Sequence, residues 1–147
     1  MSEISVLSNQ YDKLVVTSDK INDSVIILKK ISLLKDKQHG TKYPKLTVSK
    51  EELFGAKENL LPFLESINNI LEDTDNGSEF IPDLILEDYK QRLSTFPFIE
   101  EEIANLTKKL NQDVAIGIED IKILDEILKV LDTERSTLFR KLRTARG

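Results

Sequence analysis

The sequence predicts an all-α protein: an elongated antiparallel bundle of about four helices with coiled-coil-like heptad seams. Three observations carry this expectation. From Val114, alternating steps of three and four residues meet Gly117, Ile121, Leu124, Leu128, Leu131, Arg135, Leu138 and Leu142, and seven of these nine are apolar in a chain where 39% of residues are. One narrow apolar stripe of this kind must be buried against other helices. A second run of the same spacing, Ile4, Leu7, Tyr11, Leu14, Ser18, Ile21, Val25 and Leu28, has Ser18 as its only polar member. The third observation is composition: charged residues reach 32% while Gly and Pro together number nine, the balance of helices with a solvated face.

The 147 residues fit one domain, 1–147, with helices over about 3–37, 49–73, 82–95 and 97–111, and 113–145. Ser2 and Glu3 suit the start of the first helix. Its weak point is Val15-Val16-Thr17-Ser18, where β-branched residues and Ser disfavour helix, and a break or a strand reading of the short apolar runs is the alternative. Seven matches in eight frame positions decide for helix. The apolar face widens around Val25–Leu28, which points to more than one neighbour there. Between Lys35 and Val48 the period is lost, with Gly40 as a stop and Tyr43-Pro44 as a turn or extended pair.

Ser49 and Glu52 form a capping box for the second helix, with Val48 and Leu53 placed as a hydrophobic staple. Pro62 falls inside that helix and removes a hydrogen bond, so a kink near Glu58 or two abutting helices are expected. Glu72 to Ser78 is an acidic loop rich in turn formers. Pro82 opens the third helix, and Pro97 opens another segment with Glu100, Glu101 and Glu102 in its first turn. The heptad frame of the last helix runs backwards through Leu110, Ile103, Phe96, Leu93, Tyr89 and Leu86, failing only at Thr107 and Glu100. That continuity favours one helix from Pro97 to about Arg143. Asn111-Gln112-Asp113 and Gly117 favour a corner instead, which makes the more compact bundle.

The search for chemistry returns few candidates. Without cysteine there is no disulfide frame, thiol nucleophile or thiolate metal site. The single histidine, His39, lies among lysines with no flanking motif, so it reads as a solvated loop residue rather than a ligand or base. The five glycines are isolated and make no phosphate loop. Glu51-Glu52 and Glu72-Asp73-Thr74-Asp75 touch on the carboxylate pattern of a helical magnesium site, but Gly55 stands where a third acid belongs. Solvated acidic faces account for these residues. No cofactor, metal or small-molecule substrate is expected, and the chain is read as non-enzymatic.

Charge is unevenly spread. The net charge is −5, yet residues 29–50 carry +6, residues 51–102 carry −11 and residues 134–147 carry +4. Internal pairing between helices is the simpler account of this, and a polarised partner surface the other. Arg135 occupies a seam position between Leu131 and Leu138, which means either a paired polar layer or an exposed helix end. Arg135, Arg140, Lys141, Arg143 and Arg146 suit a helix carboxyl end, or form a patch for an acidic partner.

The candidate partner-binding residues are therefore Val25, Ile26, Ile27, Arg135, Arg140, Lys141 and Arg143. The function expected is a structural or adaptor subunit that presents helical faces to other protein chains, in a homo- or hetero-oligomer. The alternative is a small acidic inhibitor or immunity-type protein that blocks a basic surface with residues 51–102. Nucleic-acid contact through the basic end ranks third, disfavoured by the acidic total and by the lack of aromatics among those bases. The longest apolar run is Val25–Leu28, far short of a membrane span, and an intracellular, cytoplasmic setting is expected.

Overall fold

The computed structural model describes residues 3–36, 49–72, 80–112 and 116–146. These form five α-helices and one 3₁₀ turn, packed helix on helix, with no strand among the described residues. The bundle is all-α, as the periodicity predicts. His39, Gly40, Tyr43-Pro44, Val48, the loop from Asp73 to Ser78, and Asp113 with Val114 lie outside the described residues.

Helix α1 (Glu3–Asp36) is a single rod of 34 residues, about 50 Å long at 1.5 Å per residue. Leu7, Leu14, Ile21, Val25 and Leu28 are buried along it. The β-branched stretch at Val15–Ser18 does not interrupt it. Tertiary contact overrides the local preference there: Thr17 is buried and its Oγ1 donates to the carbonyl of Phe80 at 2.8 Å. The neighbouring Ser18 hydroxyl is buried without a partner, a cost of about 1–3 kcal/mol that the surrounding apolar burial must cover.

Helix α2 (Lys50–Leu71) starts on the capping box. The Glu52 amide donates to Ser49 Oγ at 3.1 Å, and the Ser49 amide reaches Glu52 Oε1 at 3.5 Å. Pro62 does not divide the helix in two: α2 runs unbroken through it, with the ring on the solvent side. The missing amide therefore faces water, where the freed carbonyl one turn back can be hydrated. Pro82 leads into a 3₁₀ turn (Asp83–Ile85) and helix α3 (Leu86–Leu93).

Helix α4 (Ile99–Asn111) begins two residues later than the Pro97 start expected from sequence. Its first residue is preceded by Phe98 in the left-handed region, φ 62° and ψ 20°. A break then separates it from α5 (Ile118–Ala145), so residues 97–145 are two helices turned by a corner. The last helix was expected from 113; it starts at Ile118, with Gly117 as the residue before its first turn. Glycine has no side chain with which to cap a helix. The Asp120 carboxylate takes part of that role, accepting the Gly117 amide at 2.8 Å. The other oxygen of Asp120 receives Lys109 Nζ at 2.6 Å, which ties the end of α4 to the start of α5.

Packing is most extensive between α1 and α5, which run antiparallel. Three cross-helix contacts set the register: Lys29 to Asp125 at 2.8 Å, Asp19 to Arg135 at 3.6 Å, and the rings of Tyr11 and Phe139 with centroids 5.7 Å apart. Helix α2 lies on α1, where Asn59 Nδ2 donates to Ser24 Oγ at 3.1 Å, and α4 fills the remaining side between α2 and α5. The four long helices thus enclose one core, with Leu14, Ile21, Leu60, Phe63, Leu64, Leu124 and Leu131 nearly inaccessible. Helix α3 packs on α5 further along.

Candidate functional site

The register places a free end on the bundle. Lys109 of α4 meets Asp120 of α5, so the start of α4 is level with about Val130. Arg92 of α3 meets Glu134. Beyond Glu134, α5 runs beside the first turns of α1, with Phe139 against Tyr11, and the 3₁₀ turn that leads into α3 is tied to α1 where the Leu84 amide donates to Gln10 Oε1 at 3.3 Å. Leu138 and Leu142 remain buried in this stretch, while Ile4, Val6 and Phe139 are 37%, 41% and 46% exposed.

Two open clefts flank α5 at this end. One, of about 700 Å³, is lined by Leu7, Thr137, Arg140, Lys141, Thr144 and Ala145. The other, of about 490 Å³, is lined by Tyr11, Asp132, Arg135, Ser136, Phe139 and Arg140. At 3.6 residues per turn, Thr137, Lys141 and Thr144 fall on one flank of the helix and Arg135 and Phe139 on the other. Arg140 stands on the outer face between them and borders both.

Of the residues singled out from the sequence, Arg135, Arg140, Lys141 and Arg143 all belong to this end. Arg135 is half-buried and its guanidinium reaches Asp19 at 3.6 Å, so part of its charge is answered within the chain. Arg140, Lys141 and Arg143 are exposed. The other group does not join them. Val25 is 1% exposed, covered by the chain's own α2 and α5, which are the several neighbours its wide apolar face implied. Ile27 is half-buried, and only Ile26, 42% exposed, is open to a partner.

Sequence reasoning missed Leu7, Tyr11, Phe139, Thr137, Thr144 and Ala145 as members of one site. A signal existed for Phe139, an aromatic outside the apolar frame of its helix. Tyr11 lay within a frame and read as core. Also missed was Phe98, 71% exposed, with Glu100, Glu101 and Glu102 exposed beside it in the first turn of α4.

The charged residue within the α5 seam is Glu134 rather than Arg135. Its side chain is 2% exposed, and Arg92 Nε stands 3.0 Å from Oε1. The N–H is not aimed at that oxygen, so Oε1 makes an ionic contact without a hydrogen bond. Burial raises the Glu134 carboxyl above its ordinary value of 4.5; Arg92 opposes the shift, Asp88 adds to it and Lys141 opposes it. The Tyr89 hydroxyl is buried without a partner, and burial together with the charge of Glu134 holds it well above its ordinary 10.0. At the α4–α5 corner the shift is downward. Burial alone would raise Asp120, but the hydrogen bonds from Lys109 and the Gly117 amide and the charge of Lys109 leave it below its ordinary 3.8.

Among the described residues, no group of three or more His, Cys, Asp or Glu is gathered to hold a metal ion, and no helix is long and apolar enough to cross a membrane. Neither cleft at the free end includes Glu134 or Tyr89 in its lining. This end offers apolar surface in two grooves with cations along the rim. No protein-family model, curated protein or solved structure matches this chain.

Proposed function

We propose that this chain is a non-enzymatic structural or adaptor subunit, docking to another protein chain through the free end of α1 and α5. The observation that supports this is the pair of grooves on either side of Arg140, where exposed Phe139, Ile4 and Val6 accompany a row of cations. Aromatic residues and arginine are the types most enriched where protein interfaces gain their affinity. The test is a photo-crosslinking residue placed at Phe139 and, as a control, at exposed Lys122, with the full chain produced in its native host. A discrete adduct from position 139, absent from position 122, is expected. Adducts of equal pattern from both positions, or none from 139, would contradict the reading.

A second reading, the acidic inhibitor, gains support from Phe98. A bulky residue held in the left-handed region and left 71% exposed carries backbone strain with no burial to offset it. Beside Glu100, Glu101 and Glu102 it would serve as an aromatic anchor on an acidic face. This reading expects a monomer whose attachment to a basic protein weakens steeply with salt.

A further inference from the structure

The chemistry of the partner follows from the charge and shape of the larger cleft. Its floor is Leu7 and Ala145 with Thr137 and Thr144, and its rim is Arg140 and Lys141. Residues 135–146 hold five bases and no acid, and Arg140, Arg143 and Arg146 make no ion pair among the described residues. The cleft also continues a line already used by a helix. Glu134, Thr137, Lys141 and Thr144 lie along one flank of α5, and α3 occupies that flank at Glu134 through Arg92. A second copy of this chain docked through the same face would set five bases against five, which disfavours it.

We propose that this cleft takes an amphipathic helix from a partner protein, laid along α5 from Thr137 to Ala145, with leucine-like residues on the floor and acidic residues flanking them. The proposal rests on the subunit reading and names the chemistry of its partner. Two to three turns of helix cover the span from Thr137 to Ala145, about 12 Å. Aspartate or glutamate on either side of the apolar stripe would meet Arg140 and Lys141, so association should be fast and salt-sensitive.

The experiment is a display selection against the full-length chain. The library is a helix of about 16 residues with fixed apolar positions at i, i+3, i+4 and i+7 and random positions elsewhere. Enriched sequences are then made as fluorescent peptides and titrated by anisotropy. The expected result is enrichment of acids at the flanking positions. Affinity should fall by roughly tenfold or more in Arg140→Glu, be retained in Arg140→Lys, and fall between about 50 and 300 mM salt. Thr144→Trp, which fills the cleft without changing charge, should also abolish binding. Both positions are exposed, and circular dichroism of each variant confirms the fold. Enrichment of basic or neutral flanks, no enrichment, indifference to Arg140→Glu and Thr144→Trp, or preferential binding of duplex DNA at this end would each overturn the proposal. Those outcomes leave the subunit reading to its own test, because adducts from position 139 do not depend on the partner's charge.

Discussion

Removing the cation from the buried carboxylate of α5 exposes how α3 is held. Glu134 is 2% exposed and Arg92 stands 3.0 Å from it, whereas the Arg92 side chain is 52% exposed. Breaking a fully buried pair by deleting one partner costs about 3–5 kcal/mol. Because the outer half of Arg92 is solvated, the cost here is discounted to about 1–2 kcal/mol. Arg92→Ala should therefore lower the midpoint of thermal unfolding by about 2–8 °C at pH 7. Glu134→Met fills the same space without a charge and should be neutral or stabilising. The double variant should resemble Glu134→Met alone, leaving a coupling of about 1–2 kcal/mol between the two sites. Acid has a defined sign. Glu134 titrates above its ordinary 4.5, so the native state binds its proton more tightly than the unfolded chain does. The ionised group costs stability above its folded value, and that cost disappears as pH falls through the window between the folded value and 4.5. Without Arg92 the Glu134 carboxyl titrates higher still, so the Arg92→Ala penalty should shrink as pH falls from the variant's folded value to the parent's. Urea unfolding followed by helical circular dichroism at pH 7 and at pH 4 measures all of this. An Arg92→Ala chain within about 0.3 kcal/mol of the parent at pH 7, or a double variant as unstable as Arg92→Ala, would refute the reasoning.

Three further outcomes are expected. Asp120→Asn removes the ion pair to Lys109 and weakens the contact to the Gly117 amide, costing about 1 kcal/mol in thermal melts at neutral pH. Since Asp120 titrates below 3.8, that difference should be full above 3.8 and vanish as pH falls through the lower folded value; persistence below it would mean that the pair contributes nothing. Leu131→Ala opens a cavity at a position with no solvent exposure and should cost about 2–5 kcal/mol by urea unfolding, against less than about 0.5 kcal/mol for exposed Lys122→Ala. Phe98→Gly releases a left-handed bulky residue that buries little, and should leave stability unchanged or raise it by up to about 1 kcal/mol; a loss above that size would show that the Phe98 ring is held by packing.

Most of the helices were legible because their signals are local. Ser49 and Glu52 announce the start of α2 within four residues, and the frames of α1 and α5 identify rods whatever they pack against. The exchange of Glu134 for Arg135 in the seam has a geometric cause. The two residues lie about 100° apart around the helix. Glu134 faces α3, where Arg92 meets it, whereas Arg135 stands at the edge beside Asp19 of α1, half open to solvent. The burial of Ile123, Ile127 and Val130 beside the seam has another cause: α5 is embraced by α1, α3 and α4, which needs a face wider than one stripe. The frame linking α4 to α5 keeps its register through the corner, because spacing alone does not mark a turn; the sign lay in Asn111, Gln112, Asp113 and Gly117 instead. The free end was not legible either. Leu7 and Ala145 are remote in sequence, and only the antiparallel register of α1 and α5 brings them to one cleft.

A distance between the free ends of α1 and α5 tests most directly whether that end exists. The chain has no cysteine, so Asp12→Cys and Arg143→Cys, both at exposed positions, carry spin labels without interference. Packed antiparallel helices lie about 8–10 Å apart, and with label arms the pulsed electron-spin distance should centre below about 25 Å. A distribution centred beyond about 40 Å would mean that α5 leaves α1, and neither groove beside Arg140 would then be formed.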